Sequence, residues 1–217
     1  MFNKLDMEKW ERREYFFYYK NLIKAKYNLN IDMDITDLLK RVKERKIKFY
    51  PAMLYAVIRG VNENREFRIS YDKDGNLGYW DICHPSYTIF HDDDKTFSDI
   101  WSEYSEDFSI FYSNVTRDME KYKNIKGIKS KPERPDNFSP VSSIPWLSFT
   151  GYSNDTYSES NMLFPVTVFG KYYERDRKIL LPFSIFAVHA VADGYHTCKL
   201  INDIQEIILE VENWLNM

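Results

Sequence analysis

His189 is the side chain in this chain best placed for chemistry. It closes the apolar run ILLPFSIFAV at Ile179–Val188 and is followed by Ala190-Val191-Ala192 and the turn pair Asp193-Gly194. An imidazole titrates near neutrality, so at the end of a rigid buried strand it can take the proton of a hydroxyl or a thiol. Asp193-Gly194 is a turn pair in its own right, and its carboxylate can also brace that turn against an arginine. Alone, His-x-x-x-Asp-Gly more often marks a satisfied structural histidine beside an ordinary turn. The remaining reactive groups argue less. His196 falls one helical turn beyond the motif, where packing or solvent suits it better than catalysis. His84 and His91 form no metal-ligand spacing with Cys83, and Asp92-Asp93-Asp94 reads as a solvated loop. Cys83 and Cys198 lie far apart and are expected as two buried thiols rather than a disulfide.

The elements that must position His189 follow from patterning. Met7–Leu22 reads as a helix with Asp6 as a cap, and Tyr27–Ile35 alternates as a strand. Asp37–Arg45 suits a basic helix capped by Thr36. Pro51–Asn62 has helical spacing of large apolar residues, with proline in its first turn. Phe67–Tyr71 and Leu77–Trp80 read as a hairpin about Asp74-Gly75. Ser86–Phe90 is a short strand, Thr96–Lys121 an amphipathic helix, and Lys123–Phe138 a loop. Val141–Thr150, Phe164–Tyr173 and Ile179–Val188 read as strands, and Leu200–Leu215 as a closing helix. Strands interleaved with helices predict an α/β protein, a two-layer sandwich on a mixed sheet.

Bulk properties narrow the class. The chain has 217 residues with 44% hydrophobic and 29% charged, an ordinary globular composition. Without a repeat or a Pro/Gly-rich linker, a single domain spanning residues 1–217 is expected. The net charge of −3 argues against a general nucleic-acid binder. No apolar run reaches the roughly 18 residues of a membrane span, and the N-terminus lacks a signal-peptide core. A soluble, cytoplasmic protein is expected. Aromatics are abundant, with 17 Tyr and 15 Phe, which suits pocket walls and subunit contacts.

The text around the motif is more specific. The segments WERREYF (Trp10–Phe16), DITDLL (Asp34–Leu39), KFYPAMLYA (Lys48–Ala56), YTIFHDDDKTFSDIWSEY (Tyr87–Tyr104), SSIPWLSFTGY (Ser142–Tyr152), FGKYY (Phe169–Tyr173) and HAVADGYH (His189–His196) stand in this order. Together they resemble the chloramphenicol acetyltransferase family over nearly the whole chain. The resemblance implies transfer of acetyl from acetyl-CoA, as co-substrate, to the 3-hydroxyl of chloramphenicol. It also implies a homotrimer with active sites at subunit interfaces. His189 would be the general base, and Ser142, by itself an unremarked loop hydroxyl, would donate to the oxyanion. Asp193 would pair with Arg12 in a structural role, without forming a catalytic dyad with His189. Tyr18, Tyr19, Tyr27, Phe97, Tyr152 and Val168 would line the acceptor pocket. Lys48, Tyr50, Trp146, Lys171 and Tyr172 would meet the coenzyme, and no metal is implied.

The sequence departs from the family pattern on the acceptor side. Val168 stands where a threonine is usual, with Thr167 expected on the opposite face of its strand. Asn154 replaces Leu, Asp99 replaces Ala or Ser, and Pro140 replaces Asn. Val188 replaces the first histidine of the signature, Phe186 a glutamine and Ala192 a cysteine. These changes leave open an acyltransferase acting on a different hydroxyl acceptor, or a homologue without catalysis.

Overall fold

The structure, a computed structural model, describes residues 1–156 and 160–216. Its main sheet has the strand order β2-β10-β8-β7-β5-β6, formed by β2 (Lys26–Asp34), β5 (His84–His91), β6 (Thr96–Trp101), β7 (Phe138–Ile144), β8 (Val166–Gly170) and β10 (Lys178–Val188). A short β9 (Tyr173–Arg175) also pairs with β10. Neighbours β5, β7 and β8 run parallel, while β10 is antiparallel to both β2 and β8, so the sheet is mixed as expected. A smaller sheet joins β1 (Phe2–Lys4), β3 (Ile69–Tyr71) and β4 (Leu77–Trp80). Gly75, at φ +80°, makes the β3–β4 turn at the predicted Asp74-Gly75 pair.

Strand β10 is buried from Leu180 to Val188, which explains its unbroken apolar text. Helix α3 (Phe49–Glu63) is buried over most of its length and packs on β5 and β7 and against α5 (Gly194–Leu209). The two helices meet at Gly60, where a Cβ would stand 2.4 Å from Ile204 Cγ1, so only glycine permits this approach. Helices α2 (Thr36–Glu44), α4 (Phe108–Tyr122) and α6 (Val211–Trp214) complete the helical side. Among the described residues, no helix is long and apolar enough to cross a membrane.

Several boundaries differ from expectation. The first helix shrinks to α1 (Arg13–Phe17), continued by a wider π-helical turn over Tyr18–Leu22. Asp6 instead closes a turn, its carboxylate accepting from Glu8 N–H and its carbonyl from Lys9 and Trp10. Thr36 is the first residue of α2 rather than its cap, and Asp34 accepts from its N–H and hydroxyl. The stretch from Thr96 is not one helix. Thr96–Trp101 pairs with β5 as a strand, and α4 starts only at Phe108, capped by Asp107. Cross-strand pairing with an already buried β5 overrides the helical spacing there. Phe67 belongs to a 3₁₀ turn over Arg65–Arg68. Strand β7 stops before Pro145, which has no N–H for the ladder. The long closing helix starts at Gly194, six residues earlier than its apolar pattern suggests, and breaks at Glu210. Cys83 is buried as expected, but Cys198 is exposed, and both are free.

Candidate active site

His189 sits just past the end of β10, and its N–H is held by the Ala25 carbonyl at 3.0 Å. Its ring stacks on Tyr19, with centroids 3.7 Å apart and planes 14° from parallel, and Tyr27 meets it edge-on at 5.3 Å. Tyr18 packs edge-on against Tyr19 at 5.0 Å. Three of the aromatics expected on the acceptor side therefore cluster around the imidazole, Tyr19 and Tyr27 against it and Tyr18 behind Tyr19. The π-helical turn brings Tyr18 and Tyr19 there, and β2, paired with β10 through Tyr27 and Ala187, brings Tyr27. The Tyr27 hydroxyl donates to the Ala192 carbonyl (3.3 Å) and shares a 2.7 Å hydrogen bond with Thr197. Burial is the main cause that raises its pKa, with the Thr197 bond opposing it.

The Arg12–Asp193 pair that the resemblance implies is present. Arg12 Nη1 donates to Asp193 Oδ2 at 2.7 Å, and Arg12 Nη2 lies 3.5 Å from the His189 carbonyl oxygen. Burial pushes the Asp193 carboxyl up, but hydrogen bonds from Arg12 and His196 outweigh it and bring the carboxyl down to about 2. Asp193 also caps α5. Its oxygens are committed to Arg12, His196 and the Tyr195 N–H, while His189 Nδ1 is buried with no hydrogen-bond partner among the described residues. The arrangement is thus a braced imidazole and not an Asp–His dyad.

Ser142 lies elsewhere in the same chain. It is on β7, level with Val168 on β8, which is level with Ser184 on β10. His189 is five residues beyond Ser184, the last of them just past the end of β10. Two strand spacings across and five residues along separate Ser142 from His189 by roughly 19 Å. One reacting centre cannot touch both within hydrogen-bond reach.

Around Ser142 the chain forms a cleft of about 560 Å³, lined by Tyr50, Phe90, Phe97, Met119 and Trp146 among others. Tyr50 and Trp146 were expected on the coenzyme side and Phe97 on the acceptor side. Met119 of α4 and Lys95 also line the cleft, and neither carried a signal in the sequence. Burial drives the Tyr50 pKa far up, and its hydroxyl has no partner among the described residues. Trp146 is 62% exposed and packs on Phe90 with centroids 4.7 Å apart. The other coenzyme candidates stand near the same ends of β7 and β8. Lys171 N–H donates to Leu147 O at 2.9 Å, and Tyr172 contacts Phe49, beside Lys48 and Tyr50 at the start of α3. Lys48 and Lys171 are both exposed.

The acceptor-side departures are now placed. Val168 is buried beside Ser142 in register, and Thr167 is buried on the opposite face with its hydroxyl unpartnered among the described residues. Asp99 turns to Ser86 (2.8 Å) and Arg134 (2.5 Å), so its charge is already compensated. Burial raises its pKa, with those two groups and Lys129 opposing the rise. Pro140 is level with Ser86 on the neighbouring strand. Asn154 has a buried Oδ1 without a hydrogen-bond partner among the described residues. Tyr152 lies over β2 and β10, its N–H bonded to Asn30 Oδ1 and its carbonyl to the Ser184 hydroxyl.

A family model described as chloramphenicol acetyltransferase matches residues 1–205. A chloramphenicol acetyltransferase of Clostridium butyricum is 45% identical over 214 residues, 99% of this chain and 98% of that protein. One of Clostridium perfringens is 42% identical over 214 residues, with the same coverage of both chains. A solved structure named chloramphenicol acetyltransferase superposes with a TM-score of 0.84 over 96% of this chain and all of that one. At 22% identity that likeness speaks to the fold.

Proposed function

The chain belongs to the chloramphenicol acetyltransferase family, an acyltransferase family, and from that premise we propose that it transfers acetyl from acetyl-CoA to the 3-hydroxyl of chloramphenicol. His189 Nε2 takes the hydroxyl proton as the oxygen attacks the thioester carbonyl directly. Ser142 donates a hydrogen bond to the oxyanion that develops. As the carbon–sulfur bond breaks, the imidazolium returns the proton to the departing thiolate. Tyr18, Tyr19 and Tyr27 wall the acceptor beside the base. Tyr50 and Trp146 meet the pantetheine arm and adenine, with Lys48 and Lys171 toward the phosphates.

The observation that most supports this reading is the braced, aromatic-walled imidazole at the end of β10. A hydroxyl acceptor needs a base that is held rigidly, and Asp193, committed to Arg12, His196 and the Tyr195 N–H, makes no hydrogen bond to His189 among the described residues. The roughly 19 Å between His189 and Ser142 supports a site shared between two chains. We propose a homotrimer in which His189 of one chain faces Ser142, Phe97 and Val168 of the next.

The test is acetyl-CoA thiol release with and without chloramphenicol, for wild type and His189→Ala. Chloramphenicol-dependent release that drops by about 10²–10⁴-fold in the variant is expected. Release unchanged by the substitution would remove His189 from the mechanism. Two observations favour a second reading, a different hydroxyl acceptor. The unpartnered Asn154 Oδ1 and the missing hydroxyl at Val168 alter the polarity expected around the acceptor. An acceptor screen in which another alcohol turns over as well as chloramphenicol would favour it.

A further inference from the structure

We propose that His196 is a positioning residue for the transfer, acting through Asp193 and Arg12 on the turn that carries His189; the inference rests on the reading of His189 given above. His196 occupies the third position of α5, where a capping box usually has glutamate or glutamine. Its Nδ1 is 2.7 Å from Asp193 Oδ1 and 3.4 Å from the Asp193 N–H. These contacts make opposite demands, because Nδ1 can donate to the carboxylate or accept from the amide but cannot do both. A bare nitrogen lone pair 2.7 Å from a carboxylate oxygen is repelled, whereas a charge-assisted N–H···O⁻ bond has that length. The shorter contact decides, and Nδ1 carries the proton.

That proton fixes the carboxylate. Asp193 Oδ1 accepts from His196 Nδ1–H and from the Tyr195 N–H at 3.1 Å, leaving Oδ2 to face Arg12. Without the His196 imidazole, only the backbone N–H groups of Tyr195 and His196 would remain on that side to oppose rotation of the carboxylate about its Cβ–Cγ bond. The Arg12 side chain is 13% exposed and its Nε has no hydrogen-bond partner among the described residues, so Asp193 is its main anchor. Arg12 Nη2 in turn faces the His189 carbonyl. The sequence Nδ1–H, carboxylate, guanidinium, carbonyl thus runs from the first turn of α5 to the base. His196 touches no reacting atom in this scheme.

Two variants and one spectrum test it. His196→Leu removes the donor and keeps the bulk, while His196→Asn places an amide N–H where Nδ1 stood. For His196→Leu we expect kcat about tenfold lower, with KM for acetyl-CoA and for chloramphenicol within about twofold of wild type. His196→Asn should recover most of that loss. Wild-type kcat in the Leu variant, a change confined to KM, or no recovery in the Asn variant would overturn the inference. The long-range ¹H–¹⁵N spectrum of the 4 imidazoles needs neither turnover nor a folded variant. It should show wild-type His196 protonated at Nδ1, and an Nε2–H tautomer would overturn the proposal. Absence of any thiol release from wild type would instead sink the reading of His189, while the spectrum still decides the brace.

Discussion

If each site draws His189 from one chain and Ser142 from the next, two inactive proteins should make an active one. His189→Ala and Ser142→Ala are each purified, mixed in equal amounts, unfolded together and refolded so that chains assort at random. In a cyclic trimer each site joins a chain to its neighbour. A site is intact only when its histidine donor is a Ser142→Ala chain and its serine donor is a His189→Ala chain. Each condition holds half the time, so roughly one site in four regains both groups. The parents set the background: loss of the base costs about 10²–10⁴-fold and loss of one oxyanion donor about 10²–10³-fold. Recovery to about a quarter of refolded wild type would stand far above either. The assay is chloramphenicol-dependent thiol release, with each parent refolded alone as control. A mixture no more active than the mean of its parents would refute the shared site. The roughly 19 Å separation would then have to be bridged within one chain or Ser142 removed from the mechanism.

Three further outcomes are expected. Thr167 is fully buried with an unpartnered hydroxyl, so the nearly isosteric Thr167→Val should stabilise the protein by about 1 kcal/mol; a lower denaturation midpoint would show that the hydroxyl is satisfied. Val168→Thr sets a hydroxyl beside Ser142 in register, and kcat with chloramphenicol should rise by up to about tenfold; unchanged kcat in a folded variant would leave position 168 outside the transition state. The Asp193 carboxyl is held down to about 2 against an ordinary 3.8, so its contribution is present above pH 4 and is lost as pH falls toward 2. Its side chain is 35% exposed, and after allowance for solvent screening that contribution is about 1 kcal/mol. The stability gap between wild type and Asp193→Asn should therefore close between pH 5 and pH 2, as urea titration would show; a gap independent of pH would mean that Arg12 does not depend on that charge.

Much of the molecule was legible in the residues because it rests on local physics. The apolar run ending in His189 read as a strand buried on both faces, but the turn out of it falls at His189–Val191, and Asp193-Gly194, expected as the turn, instead caps and opens α5. The Asp74-Gly75 hairpin and the buried α3 were readable for the same reason. The family itself was carried by motifs in order along the chain. Thr96–Trp101 misled because its spacing suits either period, and only its partner β5 made it a strand. The cap at Asp107 was the available signal that α4 begins later.

Other features were decided by pairing between distant segments. Nothing near Ser142 in the chain reveals that β8 lies between β7 and β10, yet that order holds Ser142 away from His189. The commitment of Asp99 to Arg134 also waited on tertiary structure, whereas the Asp193–Arg12 pair was implied by the resemblance and the Asp193–His196 contact is local to the first turn of α5. Residue types therefore determined which groups could do chemistry and which strand would carry His189. Strand order and register, set by long-range hydrogen bonding and burial, decided which of those groups lie together within one chain and which lie apart.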